Sequence, residues 1–576
     1  MNPESIRMTL IAGKMLWANA QMRTAPAPPS LILLTFASFE ENRPRVKSAL
    51  VSWSRAYSIV MRLDRLSARA LLLFAPLAAF AQSHVPSGDA VRHDLDAIGA
   101  PIRPMPADSA IARAISQVSP TQIQHTIATL VSFHNRSTLS SLDKDLPPGT
   151  GVTAAADWIE SQFKEIAAAC NGCLEVRRDS FIQQPGTGPE ARITQPTPLT
   201  NVYAVLRGSE PAQAARMILV TGHYDSRNST NADTHAEAPG ANDDASGVAV
   251  SLECARVLSK LKLPATLVFA AVAGEEQGLN GSKHLADVAK QEGWHLEAVL
   301  DNDIVGGNRT PGDKYQDLHA IRVFSENVPA SAPPEEIRRI LALGYESDSP
   351  SREVSRAIAD VARTYTVAPP AASLNAVLEF RRDRFLRGGD HTSFNQDGFA
   401  AVRFTEWRED FNHQHQNVRV EDGVQYGDLL KYVDFDYVAR AARLNAATMA
   451  ELASAPPAPV NVEYPAPPRV FTNALNNTEI EWDALDTPPP GTTATARYEI
   501  VWRPLAAPEW TRSILADKVP SVGGRFANTG THFAITIPVS KDNVIFGVRA
   551  VDAHGHRSPA VVPWPASPAP RGTRPE

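Results

Sequence analysis

The sequence predicts an α/β fold, a mixed and mostly parallel sheet flanked by helices, followed by an all-β sandwich. Three observations carry this. Apolar runs of strand length recur at Met217–Val220, Thr266–Ala273 and Ala298–Leu300, each followed by acids or a histidine. Stretches with apolar residues at helical spacing lie between them, so strand and helix alternate. After a proline-rich stretch the pattern changes to short β-rich runs separated by turns.

The elements follow in order. From Met61 the chain reads MRLDRLSARALLLFAPLAAFAQS. Arg62, Arg65 and Arg69 form a basic region, Ala70–Phe80 a short apolar core, and Ala79-Phe-Ala81 a small-x-small cleavage site. Residues 61–81 are therefore expected to be an export signal, with translation starting at Met61 and residues 1–60 an upstream extension. The apolar core is too short to cross a bilayer, so no stable membrane insertion is expected. Residues 82–104 read as extended. Ile123, Ile127, Leu130 and Phe133 recur at helical spacing, and 154–168 reads as a second helix. Residues 179–207 lead into the sheet. Helices are expected at 246–262 and 281–291, after the first and second apolar strands. Six prolines between 455 and 468 mark 454–468 as a stiff linker, which would leave the tail separable from the rest.

Composition excludes some functions. At 576 residues the chain is long enough for more than one domain, and 43% hydrophobic content supplies ample core. The net charge is −7 and no dense basic run occurs, which argues against nucleic acid. In an exported chain, Cys170-Asn-Gly-Cys173 is expected to be a disulfide closing a turn. Cys254, on an apolar helix face, reads as a buried free thiol.

The chemistry sits at the strand ends. The first strand ends in His223-Tyr-Asp225, the second in Gly274-Glu275-Glu276, the third in Asp301-Asn-Asp303. Ligands collect at this edge of open α/β sheets. His223 and Asp225 are two apart and share a face in an extended segment. Asn242-Asp243-Asp244 follows in a small-residue turn, and Asp410-Phe-Asn-His413-Gln-His415-Gln-Asn417 offers two more imidazoles. Imidazoles with carboxylates suit zinc. Each segment alone is common in surface loops; repetition at three strand ends is what sets this chain apart.

Taken in order, these segments resemble the M28 zinc aminopeptidases. The family pattern is His-x-Asp, Asp-Asp-x-Ser-Gly, Glu-Glu-x-Gly, Asp-Met-Ile-Gly and a late His. The chain has His223-Tyr-Asp225, Asp243-Asp-Ala-Ser-Gly247, Glu275-Glu-Gln-Gly278, Asp303-Ile-Val-Gly306 and His413. The resemblance covers about 105–453 and implies a zinc exopeptidase-like fold acting on peptides. It implies two zinc ions, one held by His223 and Asp303 and the other by Glu276 and His413, with Asp243 bridging. Asp225 would orient His223, and Glu275 would be the general base. The two ions would lower the pKa of a shared water and polarise the scissile carbonyl. A carboxylate on zinc cannot also be a free base, so two adjacent Glu residues are needed. Gly388-Gly-Asp-His391-Thr-Ser-Phe394 is similar to the family's Ser-Asp-His-x-x-Phe segment near the substrate side. Two departures stand out. Asn412 occupies the place of a Tyr that many relatives carry before the late His, and Asn417 that of an Asp. His415 competes with His413 as the ligand, and the spacing to Asn417 favours His413.

Residues 469–565 resemble a fibronectin type III domain. Trp482 matches its core tryptophan, and Phe546-Gly-Val-Arg-Ala-Val-Asp552 its late strand, with Phe546 in place of the usual Tyr. The expected protein is an exported, periplasmic or extracellular, dizinc aminopeptidase. The alternatives are an M28-like carboxypeptidase or glutaminyl cyclase, or a non-catalytic binding protein on the same fold. Retention of every ligand position and of Glu275 speaks against the last.

Overall fold

The computed structural model describes residues 94–188, 191–367, 373–465, 476–485, 497–520 and 524–566. The expected export signal at 61–81 and the extension 1–60 lie outside the described residues.

The chain opens with a short strand β1 (Ala100–Pro101) and helices α1 (Ser109–Ile115), α2 (Pro120–Ser132) and α3 (Gly151–Ala169). The α2 N-terminus carries its own start signals: Ser119 caps Gln122 N, and Pro120 holds the first position. Cys170 and Cys173 form a disulfide in the turn after α3, and Cys254 is buried and free. An antiparallel pair follows, β2 (Leu174–Gln183) and β3 (Thr197–Leu206). Then come β4 (Arg216–Thr221), α4 (Ala245–Leu258), β5 (Thr266–Ala271), α5 (Asn280–Gln291) and β6 (His295–Asn302). The domain continues through β7 (Ala320–Ser325), α6 (Pro334–Leu343), α7 (Pro350–Tyr365), β8 (Asn375–Glu379), α8 (His391–Asp397) and β9 (Ala401–Glu406). A small hairpin, β10 (Arg419–Glu421) and β11 (Val424–Tyr426), precedes the long helix α9 (Phe435–Ser454).

Eight of these strands form one sheet in the order β2-β3-β5-β4-β6-β9-β7-β8. Its centre, β5-β4-β6-β9, is parallel; β3 joins β5 and β7 joins β9 in antiparallel fashion. The sheet is therefore mixed with a parallel core, as the sequence predicts. The near-continuous apolar runs exist because both faces are covered. On β4, Ile218 and Val220 pack with α4 and α9, whereas Leu219 faces the layer of α5 and Phe394.

Beyond α9 come β12 (Val460–Tyr464), β13 (Thr478–Asp483), β14 (Arg497–Pro504), β15 (Arg512–Leu515), β16 (Arg525–Asn528), β17 (His532–Ile537), β18 (Val544–Val551) and β19 (Trp564–Pro565). They form two sheets, β1-β15-β14-β18 and β16-β17-β13-β12-β19. Trp482, Ile480 and Phe533 from one meet Tyr498, Trp502 and Phe546 from the other in a common core.

The stretch read as a linker departs from expectation. Val460 and Val462 alternate with Asn461 and Glu463, the period of a strand, and β12 pairs with β13 and β19. The sandwich is also tied to the domain that precedes it. Arg503 pairs with Asp348, Arg549 lies 3.0 Å from Asp360, and Trp510 Nε1 donates to Glu353 at 3.0 Å. Ile340 and Tyr345 share an apolar cluster with Val501, Trp510 and Ile545. The prolines fix the path of the chain here but do not hold the two parts apart.

Candidate metal centre

The parallel strands deliver their chemistry to one place. Past the end of β4, His223 pairs with Val272 as an added bridge, which extends the sheet edge into the site. Asp244 then fixes the start of α4. Its carboxylate caps Gly247 N at 2.9 Å and accepts from His223 N at 3.0 Å, so one side chain locks the helix start to the strand end. Asp243, its neighbour, points into the cleft instead.

Among the described residues two groups of donor atoms result, and they share Asp243. The first is His223, Asp243 and Asp303; the second is Asp243, Glu276 and His415. His223 Nε2 lies 3.1 Å from Asp243 Oδ1 and 3.9 Å from Asp303 Oδ1. His415 Nε2 lies 3.0 Å from Asp243 Oδ2 and 3.1 Å from Glu276 Oε2. His223 Nε2, Glu276 Oε1 and Asp303 Oδ1 are buried with no hydrogen-bond partner among the described residues. Leaving such atoms unanswered is costly, and cations held by imidazole and carboxylate would answer all three.

The expected ligand His413 is not in either group. Its ring stacks on Tyr432 with centroids 3.8 Å apart, and its Nε2 faces Asp410 at 3.8 Å. His415 stands with Asp243 and Glu276 instead, where the loop turns sharply with φ of +56°. Spacing to Asn417 misled because Asn417 serves the loop itself: its Oδ1 accepts from Ser229 N at 3.1 Å and Ser229 Oγ at 2.8 Å. The residue just before the late histidine is accordingly Gln414 rather than Asn412. Gln414 Nε2 donates to Asp243 Oδ2 at 3.0 Å. His391 is fully buried against Asp301 and Arg382 O, so of that segment only Gly388 reaches the cleft.

Supporting residues hold the donors in place. Asp225 stands 3.5 Å from His223 Nδ1, and it also accepts from the backbone N–H of Glu275 and of Glu276, both at 3.1 Å. It thus orients an imidazole and the Glu-Glu turn together. Arg403 Nη2 lies 2.9 Å from Asp303 Oδ2 and its Nη1 3.2 Å from Asp383. Asp428 accepts from Asp243 N at 2.7 Å. The sequence reading found neither Arg403 nor Asp428. A cation in the middle of the wholly buried strand β9 was the available signal for the first; Asp428 stands alone in its segment and gave none.

The crowding of carboxylates shapes their titration. Burial pushes Glu275 well above the usual range, reinforced by Asp303, Glu276 and Asp390 and opposed by His223. Burial likewise lifts Asp303 to about 6 against the pull of Arg403. Burial would draw His415 down, yet Glu276 and Asp243 push it up to about 10. Asp243 goes the other way: burial is outweighed by His223 and His415, which hold it well below its ordinary value. The centre concentrates negative charge that a cation would offset, and Glu275 sits at its edge outside both donor groups.

Residues 201–422 match the profile of peptidase family M28. A probable zinc metalloprotease of Pyrenophora teres f. teres is 40% identical over 524 residues, 90% of this chain and 99% of that protein. The chain belongs to peptidase family M28. A second relative, a probable zinc metalloprotease of Pyricularia oryzae, is 40% identical over 463 residues, 80% of this chain and 85% of its own length. Among solved structures, the LapA aminopeptidase of Legionella pneumophila aligns with a TM-score of 0.41 at 18% identity, over 61% of this chain and 75% of that one. In this M28 peptidase the centre opens on a cleft of about 350 Å³, lined by Glu275, Asp243, Glu276 and Asp303 together with four arginines.

Proposed function

We propose that this chain is an exported dizinc aminopeptidase. The observation that carries the reading is the pair of donor groups sharing Asp243, with Glu275 beside them and bonded to neither. His223 and Asp303 would hold one zinc ion, Glu276 and His415 the other, and Asp243 would touch both. Zinc bound there supplies a Lewis acid for the scissile carbonyl and makes the attacking water more acidic. Glu275 takes a proton from that water and passes it to the leaving amine. Asp225 keeps the His223 ring and the Glu275–Glu276 turn in register throughout. The Cys170–Cys173 disulfide supports an oxidising, extracytoplasmic setting, in line with the signal-like segment at 61–81. The two-sheet core around Trp482 supports the fibronectin type III-like reading of the tail.

The test is metal analysis of the purified full chain alongside hydrolysis of leucyl para-nitroanilide and its N-acetyl derivative. Two zinc ions per chain, and cleavage only of the free-amine substrate, are expected. One ion per chain, or equal cleavage of the blocked substrate, would overturn the reading.

A further inference from the structure

The cleft is lined by charge of both signs, and the two signs are not equally engaged. Its carboxylates are the proposed zinc ligands and Glu275, all committed to metal or proton transfer. Four arginines line the same cleft: Arg192 and Arg227 beside Glu276, and Arg384 and Arg387 from the loop after β8. Their attachments differ. Arg384 is held by Glu409 at 2.7 Å and Asp383 at 3.0 Å, so its charge is satisfied within the protein. Arg227 Nε stands 4.0 Å from Glu276 Oε2. Among the described residues, the Arg192 side chain donates only to a backbone carbonyl, that of Glu276, at 2.6 Å. Arg387 lies over the ring of Phe411 at 5.8 Å. Neither Arg192 nor Arg387 has an acidic partner among the described residues. Both are exposed at the mouth of a site that holds further cations when zinc is bound.

We infer that Arg192 and Arg387 select peptides presenting a carboxylate next to the scissile bond. The inference rests on the peptidase reading for where that bond lies. A guanidinium fork meets a carboxylate in two parallel hydrogen bonds, stronger than neutral pairs and specific in geometry. A wall of arginines with all lining carboxylates engaged favours such a group over a cationic side chain, which would meet like charge. The carboxylate has two sources, an acidic terminal side chain or the C-terminal group of a short peptide, and the binding chemistry is common to both.

The experiment uses the zinc-loaded full chain and matched pairs: glutamyl against glutaminyl para-nitroanilide, and Leu-Gly against Leu-Gly-amide. The carboxylate member of at least one pair should have the lower KM, and the pair that shows it identifies the source. Arg192→Ala with Arg387→Ala should raise that KM by about tenfold or more while leaving the neutral member nearly unchanged. Lysine at both positions should recover part of the preference, and added salt should erode it. Equal KM within both pairs, or equal loss for charged and neutral members, would overturn the inference. If no substrate is cleaved at all, the peptidase reading fails. Calorimetric binding of glutamate against glutamine to the same proteins then decides: tighter glutamate binding that the alanine variants abolish supports the carboxylate site, and equal binding ends it.

Discussion

Glu275 and Glu276 are neighbours whose carboxylates face different ways, and the turn after β5 explains how. Both backbone N–H groups bond Asp225, which leaves one carboxylate facing His415 and the other facing the open cleft. Replacing Glu275 with Gln should cut turnover by about 10²–10⁴-fold while zinc content stays that of the wild type; near-normal turnover would end its assignment as base. The two late histidines give a second contrast. His415→Ala should release one zinc per chain in an atomic-absorption measurement, and His413→Ala should release none. A third residue lies far from the cleft. His556 Nδ1 is 2.6 Å from Glu451 Oε2. Burial pulls it down, but Glu451, Asp552 and Asp108 win and its pKa is raised above 6.5. A raised folded pKa adds stability that is complete below the unfolded value and is lost as pH rises through the folded one. The Tm gap between wild type and His556→Gln should therefore be widest below pH 6.5 and close at higher pH; a gap that widened with pH would refute the pairing. Residue legibility follows geometry. That His223, Glu276 and Asp303 come together was legible because each follows an apolar strand of one parallel sheet. The choice between His413 and His415 was not, because both lie in a loop, where a turn with positive φ obeys no strand pattern.

The junction of β4 with α4 shows what an element needs from its sequence. Gly247 sits in the first turn of the helix, where a Cβ would lie 2.0 Å from Asn302 O and 2.4 Å from Asp244 Oδ2. The helix start is pressed against the end of β6, and only glycine permits it. Gly247→Ala should lower stability by about 1–3 kcal/mol in urea unfolding, and it should weaken zinc binding because Asn302 adjoins Asp303. Unchanged stability would show that the helix can retreat at no cost. The strands β4, β5 and β6 were plain in the sequence because both of their faces are apolar. Strand β9 was not. Arg403 and Thr405 give it the alternation of a half-exposed strand, yet all of it is buried. Burial is possible because Asp303 and Asp383 neutralise Arg403, a pairing between distant segments that no local pattern reveals.

The whole molecule is less divisible than its prolines imply. Deleting 456–576 would strip Arg503, Arg549 and His556 from Asp348, Asp360 and Glu451, and would bare Ile340 and Tyr345 to water. Each exposed apolar side chain costs about 1.5–3 kcal/mol, a large share of a typical net stability of about 5–15 kcal/mol. The truncated chain should aggregate or melt well below the full one in scanning calorimetry; a soluble truncation with full activity would restore the modular picture. The sequence revealed two parts of different character but not their union, because ion pairs between parts leave no periodic trace. The pairing of β1 with β15 carries one more consequence. Ala100 meets Ser513, roughly 400 residues further on, and Trp502 Nε1 donates to Leu95 O at 2.8 Å. During synthesis this early segment emerges long before its partner exists. It can pair with β15 only once the tail has left the ribosome. A nascent chain stalled before residue 502 would thus carry every proposed zinc ligand but no partner for its front end, which makes protease sensitivity near residue 100 a clock for completion of the chain.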